Sequence, residues 1–511
     1  MNKITQLLFI VSFYLTGLSI LNAQSPVMEW HRGLGTNNEE HVHEGIQTSD
    51  GGYIAVGHTW EGSTEFTDLL VVKSYSNGIE DWKEILGTSG QYDIGICVYE
   101  VADGYIVGGA FHNVNQIRGL AKFDLEGNVV WEKSYPNPGN GCIRGIDITI
   151  DGGIIATGYK NSSEEGYLFI ADDSDGFIMK LDTSGTLIWE KDISATQGTK
   201  VREEDNGGFA IASTDWFWNG NDHQDVVLIK TDSEGNEIYI NNYGGEDLDQ
   251  CFDFDLCSDG GYIFAGHTLS YGVENWDYYL LKVNSQGNEE WHKTFGQPRG
   301  YDARYIHDEA YGVRQISDGG FIVAGGSGDE YSYSASGHPS GPSDEWKAYL
   351  VRTDNSGNTL WEAVYPPTSV GNNAAEYIDI TKDDGYIVFT DTDSQTPPSP
   401  NNFGFMKIST DPVTNVNDDE NIEPLNFILK QNYPNPFNPY TTIQYSIAEG
   451  SNVVMKVYDM LGDKIDELVN EYKDPGNYSL RFDATKLASG IYICKLQTAD
   501  YSRSIKMIFI K

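Results

Sequence analysis

The sequence predicts an all-β protein in which a seven-bladed β-propeller is followed by an Ig-like β-sandwich. Two observations carry this prediction. A unit of about fifty to sixty-five residues, near the length of a propeller blade, recurs seven times within residues 24–411. Residues 426–511 contain short stretches that alternate apolar with polar side chains and are separated by turn-forming residues, which is typical of a β-sandwich. The polar, acidic stretch 412–425 is predicted to be a linker.

Each repeat opens on an Asp-Gly-Gly-aromatic-Ile-Val-Ala-Gly pattern. An apolar strand that ends in Lys or Arg follows, then a Gly turn, and in six of the seven units a strand that carries Trp or Tyr. Glycine accepts the positive φ that tight hairpin turns require. Four strands per unit favour propeller blades over a β-solenoid or a string of small β domains. The seven copies of the opening pattern span residues 50–57, 103–109, 151–158, 205–212, 259–266, 318–325 and 384–390.

The two ends of the repeat array complement each other. The seventh unit lacks a final Trp strand, and Trp30 stands alone ahead of the first unit. An open ring would leave unpaired edges on its first and last blades, so we expect the N-terminal strand around Trp30 to complete the last blade. The Lys-x-Asp-x-x-Gly-x-x-x-Trp element is similar to the tryptophan-docking repeats of PQQ-type propellers, which implies a fold and no chemistry. The Trp side chains are expected to wedge between neighbouring blades.

The C-terminal region carries several separate motifs in a fixed order. Gly462 and Gly490 belong to the segments Val-Tyr-Asp-Met-Leu-Gly and Leu-Ala-Ser-Gly-Ile-Tyr. Ahead of them stands a proline-rich motif formed by Pro434, Asn435, Pro436, Phe437, Asn438 and Pro439. This ordered set resembles the C-terminal sorting domain of the type IX (Por) secretion system of Gram-negative bacteria. The alternative is an ordinary Ig-like module without a sorting role, but a bare sandwich needs no such set of motifs.

The resemblance implies where the protein is transported and says nothing about its activity. In that family the domain guides its cargo across the outer membrane and is usually cleaved off. The implied partners are therefore the type IX secretion machinery and its sorting protease. The implied location is outside the cell, either released or attached to the outer-membrane surface, with passage through the periplasm.

The N-terminal residues agree with export. Lys3 precedes an apolar run, and small residues around Ala23 precede Gln24, so residues 1–23 are predicted to be a secretory signal peptide. No later stretch approaches the roughly twenty apolar residues of a membrane span, and no transmembrane segment is expected.

The net charge is −43 and is unevenly distributed. Residues 426–511 hold ten Lys or Arg against nine Asp or Glu, so the negative charge lies in the predicted propeller. Such a surface repels nucleic acid and anionic membranes. It can attract cations, with calcium as the possible ion outside the cell, although simple solubility explains the charge equally well.

The sequence contains no nucleophile elbow, P-loop or His-Glu-x-x-His motif, and no catalytic residue is assigned. Two metal hypotheses remain. His41 and His43 would face the same side of a strand, which can begin a metal site, but the sequence places no third ligand beside them. A loose calcium clip is the second hypothesis, formed by Asp172, Asp173 and Asp175.

The long connections between repeats differ from one unit to the next, and they are predicted to share one face of the ring. Variable loops on a rigid scaffold are where binding sites usually lie. A neutral glycan or a peptide is the predicted ligand, bound by Trp216, Trp218, Trp276 and Trp346. The alternative is that these aromatics are hydrophobic plugs. The leading function is therefore a glycan- or protein-binding module, followed by a polysaccharide hydrolase or lyase and by a structural surface component.

The signal-peptide hypothesis is directly testable. Because Leu21-Asn22-Ala23 suits signal peptidase, the exported chain should begin at Gln24. N-terminal sequencing of protein recovered outside the cell measures this, and a chain that still begins at Met1 would contradict it.

Overall fold

The computed structural model describes residues 25–411 and 428–511, apart from short gaps. The gaps in the first stretch are 63, 65, 112–116, 165–169, 216–222, 301–302, 330–344, 367–370 and 394–400. Those in the second are 430–431, 433–436, 438, 448–450, 461–462, 474–475, 499–501 and 510. The chain divides into two compact units, Met1–Thr414 and Asn415–Lys511, and each is described by itself.

The first unit is a seven-bladed β-propeller, as the repeat predicted. In blades 1 to 6 the four antiparallel strands follow in chain order from the centre of the ring outward. Blade 1 contains β2 (Glu40–Gln47), β3 (Tyr53–Trp60), β4 (Thr67–Ser74) and β5 (Glu80–Leu86). Blade 2 contains β6 (Ile94–Val101), β7 (Gly104–Phe111), β8 (Ile117–Phe123) and β9 (Val129–Tyr135). Blade 3 contains β10 (Asn140–Ile148), β11 (Ile154–Ser162), β12 (Asp175–Leu181) and β13 (Leu187–Asp192).

The next three blades repeat this arrangement. Blade 4 contains β14 (Lys200–Glu203), β15 (Phe209–Asp215), β16 (Asp225–Thr231) and β17 (Glu237–Tyr243). Blade 5 contains β18 (Asp249–Leu256), β19 (Tyr262–Thr268), β20 (Asp277–Val283) and β21 (Glu289–Phe295). A short 3₁₀ turn, Ala303–Tyr305, precedes blade 6, which contains β22 (His307–Gln315), β23 (Phe321–Gly328), β24 (Lys347–Thr353) and β25 (Thr359–Tyr365).

Blade 7 is built from both ends of the propeller unit. Its first three strands are β26 (Asn373–Ile380), β27 (Tyr386–Thr392) and β28 (Asn402–Ile408), and its outer strand is the N-terminal β1 (Met28–Leu34). Strand β1 runs antiparallel to β28, with Trp30 opposite Lys407. The ring is therefore closed by hydrogen bonds between strands that are far apart in sequence, and blade 7 has no unpaired third strand.

A repeated ion pair explains the Asp and Lys of the repeat. In blade 1 the Lys73 ammonium lies 2.9 Å from the Asp50 carboxylate, and Lys73 is 1% exposed. Burial opposes ionisation of Asp50, but hydrogen bonds from Thr48 and Lys73 lower its pKa to about 2. Equivalent pairs join the same two strands in the other blades: Lys122–Asp103, Lys180–Asp151, Lys230–Glu204, Lys282–Asp259, Arg352–Asp318 and Lys407–Asp383.

Two copies of the repeat start one residue away from the predicted position. In blade 4 Asn206, and not Asp205, accepts the hydrogen bond from the second glycine of the turn. In blade 7 Asp383, and not Asp384, pairs with Lys407 and accepts the turn hydrogen bond from Gly385. Consecutive acidic and amide residues at these turns made the alignment ambiguous in the sequence.

Six of the seven outer-strand aromatics lie between blades and cover a glycine turn of the next blade, whereas Trp361 of blade 6 donates a hydrogen bond to Asp411 at 3.0 Å. A Cβ on Gly127 would lie 2.6 Å from the Trp82 ring, and Gly127 has φ +87°, so this position requires glycine. Trp82 also approaches Tyr105, with ring centroids 6.0 Å apart. The same contact recurs for Trp30 with Gly78, Trp131 with Gly185, Trp189 with Gly235, Tyr239 with Gly287 and Trp291 with Gly357.

The second unit is a two-sheet β-sandwich. One sheet contains β29 (Ile428–Leu429), β30 (Tyr440–Ile447) and β33 (Gly476–Asp483). The other contains β31 (Ser451–Tyr458), β32 (Lys464–Lys473), β34 (Gly490–Gln497) and β35 (Ser502–Phe509). Both sheets contribute to one apolar core, with Ile443 and Phe482 from the first and Val457 and Leu496 from the second.

The proline-rich motif contributes one core residue. Phe437 is buried, its amide donates to the Ile508 carbonyl at 2.9 Å, and its ring lies 5.3 Å from that of Phe509. Pro439 and Gly490 are partly exposed. Four other residues of the predicted motif set, Pro434, Asn435, Pro436 and Asn438, lie outside the described residues, as do Gly462 and the predicted signal peptide.

In the parts of the chain that the structure describes, no helix has the length and apolarity needed to cross a membrane.

The closure by β1 gives a stability prediction. Trp30→Ala removes an aromatic that covers Gly78 and meets Tyr53 with ring centroids 5.7 Å apart. Truncation of a large packed aromatic costs about 3 kcal/mol, so the urea midpoint of the propeller transition should fall. Tyr75→Ala is the control because Tyr75 is 51% exposed, and it should change stability by less than about 0.5 kcal/mol. Equal midpoints for Trp30→Ala and the unchanged protein would contradict the role of β1.

Candidate functional site

The two faces of the ring differ in their connections. Tight turns such as 48–52 and 75–79 lie on one face, called here the turn face. Connections that vary in length, such as 61–66 and 87–93, lie on the opposite face, called here the loop face. Because every innermost strand begins at the loop face, the first residues of β2, β6, β10, β14, β18, β22 and β26 surround the mouth of the central channel there.

The innermost strands carry a β-bulge at the same place in six blades. The pairing of β2 with β3 skips His43, and the pairing of β26 with β27 skips Glu376. A bulge leaves one residue unpaired in the ladder and re-aims its side chain. The skipped residues are His43, Ile96, Arg144, Phe252, Tyr311 and Glu376. All six line one cavity, which Thr199 and Lys200 of blade 4 complete.

These lining positions have a sequence signature that the repeat analysis missed. Each lies seven residues before the Asp or Asn of the following turn, as His43 does before Asp50 and Glu376 before Asp383. Thr199 has the same spacing from Asn206. If the repeat alignment had placed the turns of blades 4 and 7 correctly, this spacing would have identified the channel-lining residue of every blade.

Charged side chains close the channel below its mouth. Lys200 of blade 4 is paired with Glu44 of blade 1, and both are buried. Burial opposes protonation of Lys200, but the Glu44 carboxylate keeps its pKa raised. Further towards the turn face, the Arg314 guanidinium donates to Asp253 at 2.7 Å. The cavity on the axis therefore has a volume of only about 40 Å³, which leaves room for little more than water.

A wider cavity opens beside the axis at the loop face, between blades 6 and 7. Its volume is about 220 Å³, below the roughly 300–1,000 Å³ of pockets that enclose a drug-sized ligand. We call it the mouth cavity, and it is lined by Glu309, Tyr311, Trp346, Asn372, Ala374, Glu376, Asp391 and Asn401. An aromatic ring, amides and carboxyls therefore converge on a space the size of one ring-shaped group.

The pKa values of two carboxyl groups in the mouth cavity are shifted in opposite directions. Burial and the neighbouring Asp391 and Glu309 raise the pKa of Glu376 well above its ordinary value, against the attraction of His41. Burial alone would also raise the pKa of Glu309, but hydrogen bonds from His307 and Tyr311 and the nearby His267 lower it. The pKa of Glu376 is therefore shifted upward and that of Glu309 downward, within one cavity.

Three histidines of blade 1 lie beside these acids. His41 is hydrogen-bonded to Asp391, whose other oxygen accepts from the Val42 amide at 2.9 Å. Burial opposes protonation of His41, but Asp391 raises its pKa to about 9. His43 and His58 are joined by a 3.2 Å hydrogen bond between their ring nitrogens, and burial lowers the pKa of both well below 6.5. One of the three imidazoles therefore carries a charge at neutral pH.

One group of side chains has the geometry of a metal-ligand set. A ligand atom from each of His41, Glu376 and Asp391 lies within 4.8 Å of the other two, and among the described residues this is the one such trio of His, Cys, Asp or Glu. His41 was predicted from the sequence as the start of a site. Its partners come from blade 7, more than three hundred residues away in the chain, so no local spacing could reveal them.

The predicted calcium clip remains a hypothesis. Asp172, Asp173 and Asp175 are exposed. Asp173 accepts hydrogen bonds from the Ser162 hydroxyl at 2.6 Å and the Ser163 amide at 2.9 Å, and Asp175 accepts from Asn161 at 2.7 Å. Asp173 and Asp175 therefore hold the connection between β11 and β12 in place through hydrogen bonds from Asn161, Ser162 and Ser163.

Two of the four predicted ligand-binding tryptophans fall within the described residues. Trp346 lines the mouth cavity, and its carbonyl accepts from the Asn373 amide of blade 7. Trp276 holds the equivalent place one blade earlier, where its carbonyl accepts from the Asp308 amide. Both are partly exposed at the loop face, and Trp276 does not line the mouth cavity. Trp216 and Trp218 lie outside the described residues.

The turn face also holds a cavity. It lies between blades 4 and 5, has a volume of about 490 Å³ and is lined by residues such as Asn206, Lys230 and Ser258.

Comparison with known proteins confirms the sorting-domain resemblance. Residues 431–511 match the family model described as the secretion system C-terminal sorting domain. No protein of curated function matches the chain.

Among solved structures, the chain is similar to PorZ, an essential surface component of the type IX secretion system of Porphyromonas gingivalis, with 13% identity and a TM-score of 0.44. That match covers 94% of this chain and 60% of PorZ, so the chain spans about three-fifths of its length. A match to the WD40 domain of Neurospora crassa Pan2 has 10% identity and a TM-score of 0.48 and covers 77% of this chain and 98% of that domain. These likenesses concern the fold alone.

A β-propeller that carries a C-terminal sorting domain of this secretion system is an exported protein, and it is either released or attached to the outer-membrane surface.

Proposed function

We propose that the exported propeller is an extracellular binding protein that holds one unit of a neutral glycan in the mouth cavity. The observation that carries this proposal is the lining itself, in which the Trp346 indole stands with the Asn372 and Asn401 amides and three carboxyls. An aromatic face suits the apolar face of a sugar ring, and amides and carboxyls suit its hydroxyls. The acids and the net charge of −43 disfavour anionic polymers.

The size of the cavity further restricts the range of candidate ligands. A volume of about 220 Å³ suits a single ring, so the remainder of a longer glycan would run across the loop face. Peptide ligands share some of this chemistry, since a side chain can occupy the same space. The open position of the cavity on a face of variable loops supports recognition of a polymer end or branch over a small free metabolite.

Titration with neutral oligosaccharides tests the proposal with a matched pair of variants. Trp346→Ala should weaken binding at least tenfold, since a central Trp contact is commonly worth about 2 kcal/mol and 1.4 kcal/mol corresponds to tenfold. Trp276→Ala removes the equivalent indole from the neighbouring blade and should leave affinity within about twofold. Loss of binding in both variants, or in neither, would contradict the mouth cavity as the site.

A hydrolase acting on polysaccharide is the second candidate, and one observation favours it. The mouth cavity holds two carboxyl groups whose pKa values are shifted in opposite directions, upward by burial for Glu376 and downward for Glu309, where hydrogen bonds from His307 and Tyr311 outweigh burial. Glycosidases use such a pair as general acid and base or nucleophile. If this function is correct, the protein releases new reducing ends from a neutral polysaccharide and Glu376→Gln abolishes the release. Binding without any release would exclude this candidate and leave the binding protein.

Removal of the sorting domain tests the export route. Deletion of residues 426–511 should leave a folded propeller in the periplasm, because the two units are compact separately and the address is lost. Cell fractionation with blotting measures the location, and limited proteolysis reports folding. Surface display of the shortened chain at the level of the full chain would contradict the role of the tail.

A further inference from the structure

We propose that His41, Glu376 and Asp391 bind one divalent transition-metal ion, zinc or manganese, at the floor of the mouth cavity. This site does not depend on the identity of the glycan or on its binding. It gives a chemical role to a group of side chains from two blades that the sorting domain and the fold leave unexplained.

The geometry of the three ligands is the first argument. Ligand atoms around one zinc ion at about 2.0–2.2 Å are separated from each other by no more than about 4.4 Å. The atoms of His41, Glu376 and Asp391 lie within 4.8 Å of one another, so small side-chain rotations bring all three onto one ion. Each ligand comes from a different strand, β2, β26 or β27, and the site therefore spans the interface between blades 1 and 7.

The backbone holds the ligands in place before any ion arrives. Glu376 is the residue that the β-bulge of β26 turns inward. Asp391 lies on β27, opposite Ala374, and its Oδ1 is held by the Val42 amide at 2.9 Å while Oδ2 meets His41. The side chains of His41 and Asp391 are only 16% and 14% exposed. Such a preorganised set of ligands loses little conformational entropy when an ion binds.

The charges around the site favour a cation. Among the described residues, the lining of the mouth cavity includes Glu309, Glu376 and Asp391 but no Lys or Arg. Carboxylates removed from water are costly unless they are paired or coordinate a metal. A divalent ion at the floor would offset this concentration of acids.

The donor set selects the class of metal. The ion displaces the proton of His41 on binding, and one imidazole nitrogen with two carboxylate oxygens then suits zinc or manganese. Calcium prefers six to eight oxygen ligands, which this trio does not provide. Three protein ligands leave coordination positions for water or a ligand hydroxyl, and Glu376 and Asp391 face the cavity.

Isothermal titration of the chelator-treated full chain with zinc or manganese tests the site. The titrations contain 150 mM salt and millimolar calcium, so that weak binding to the acidic surface is already saturated. The expected result is one ion per chain, with an affinity at least tenfold weaker in Glu376→Gln and in Asp391→Asn. Both variants keep the size of the side chain, and Glu376→Gln should melt like the metal-free protein. Asp391→Asn keeps an oxygen for the Val42 amide but loses the ion pair with His41, so circular dichroism is used to show that this variant is folded before its affinity is compared.

Two control variants make the outcome specific. Glu309→Gln changes an acid of the same cavity that is not a ligand, so it should weaken binding less than either ligand variant; Asp173→Asn changes the predicted calcium clip and should leave the affinity within about twofold. The proposal is overturned if no ion binds at one per chain, if Glu376→Gln and Asp391→Asn bind as tightly as the unchanged protein, or if Asp173→Asn alone weakens binding. No glycan is present in these titrations, so their failure would leave the glycan proposal to its own test.

Discussion

The contact between an outer-strand aromatic and the glycine turn of the next blade is the constraint on which the propeller depends. The indole of Trp82 occupies the space that a side chain at Gly127 would need, so neighbouring blades can approach closely at that point. The contact recurs around the ring and ends with Trp30, the aromatic of the N-terminal strand. In six blades an ion pair between a Lys or Arg of the third strand and a more exposed Asp then joins that strand to the turn, as Lys73 and Asp50 do. A ring of such contacts is stable only when closed, which is why the two ends of the unit meet in blade 7.

One position at the innermost strand of every blade lines the channel, and the side chain at that position differs from blade to blade. Each innermost strand directs the residue seven places before the turn into the channel, in six blades by a β-bulge. The residues around that position follow the repeat, but the bulged residue that faces the channel differs from blade to blade. It is His43 in blade 1, Arg144 in blade 3 and Glu376 in blade 7. The chemistry of the channel can therefore change without a change in the fold.

Electrostatics divides the channel into two parts. Below the mouth, cations and anions from different blades are paired, as Lys200 with Glu44 and Arg314 with Asp253, and they fill the axis. At the mouth between blades 6 and 7, acids outnumber cations among the described lining residues. Burial then drives the pKa of Glu376 upward, and Asp391 keeps His41 protonated. In the absence of other cations, bound protons offset the negative charge of these acids. This part of the ring therefore differs in its chemistry from the paired charges below the mouth.

The sequence by itself determined the propeller, the number of its blades and the sorting domain. These properties rest on local patterns that repeat or that follow in order, such as Asp50-Gly51-Gly52 with Lys73, or the segment from Pro434 to Pro439. It also indicated His41 and Trp346 as members of a site. Only the tertiary structure decided which residues join them. Glu376 and Asp391 lie more than three hundred residues from His41 in the chain, and ring closure brings blade 7 against blade 1. Long-range pairing of this kind leaves no periodic signal in the sequence, because it depends on how many blades complete the circle.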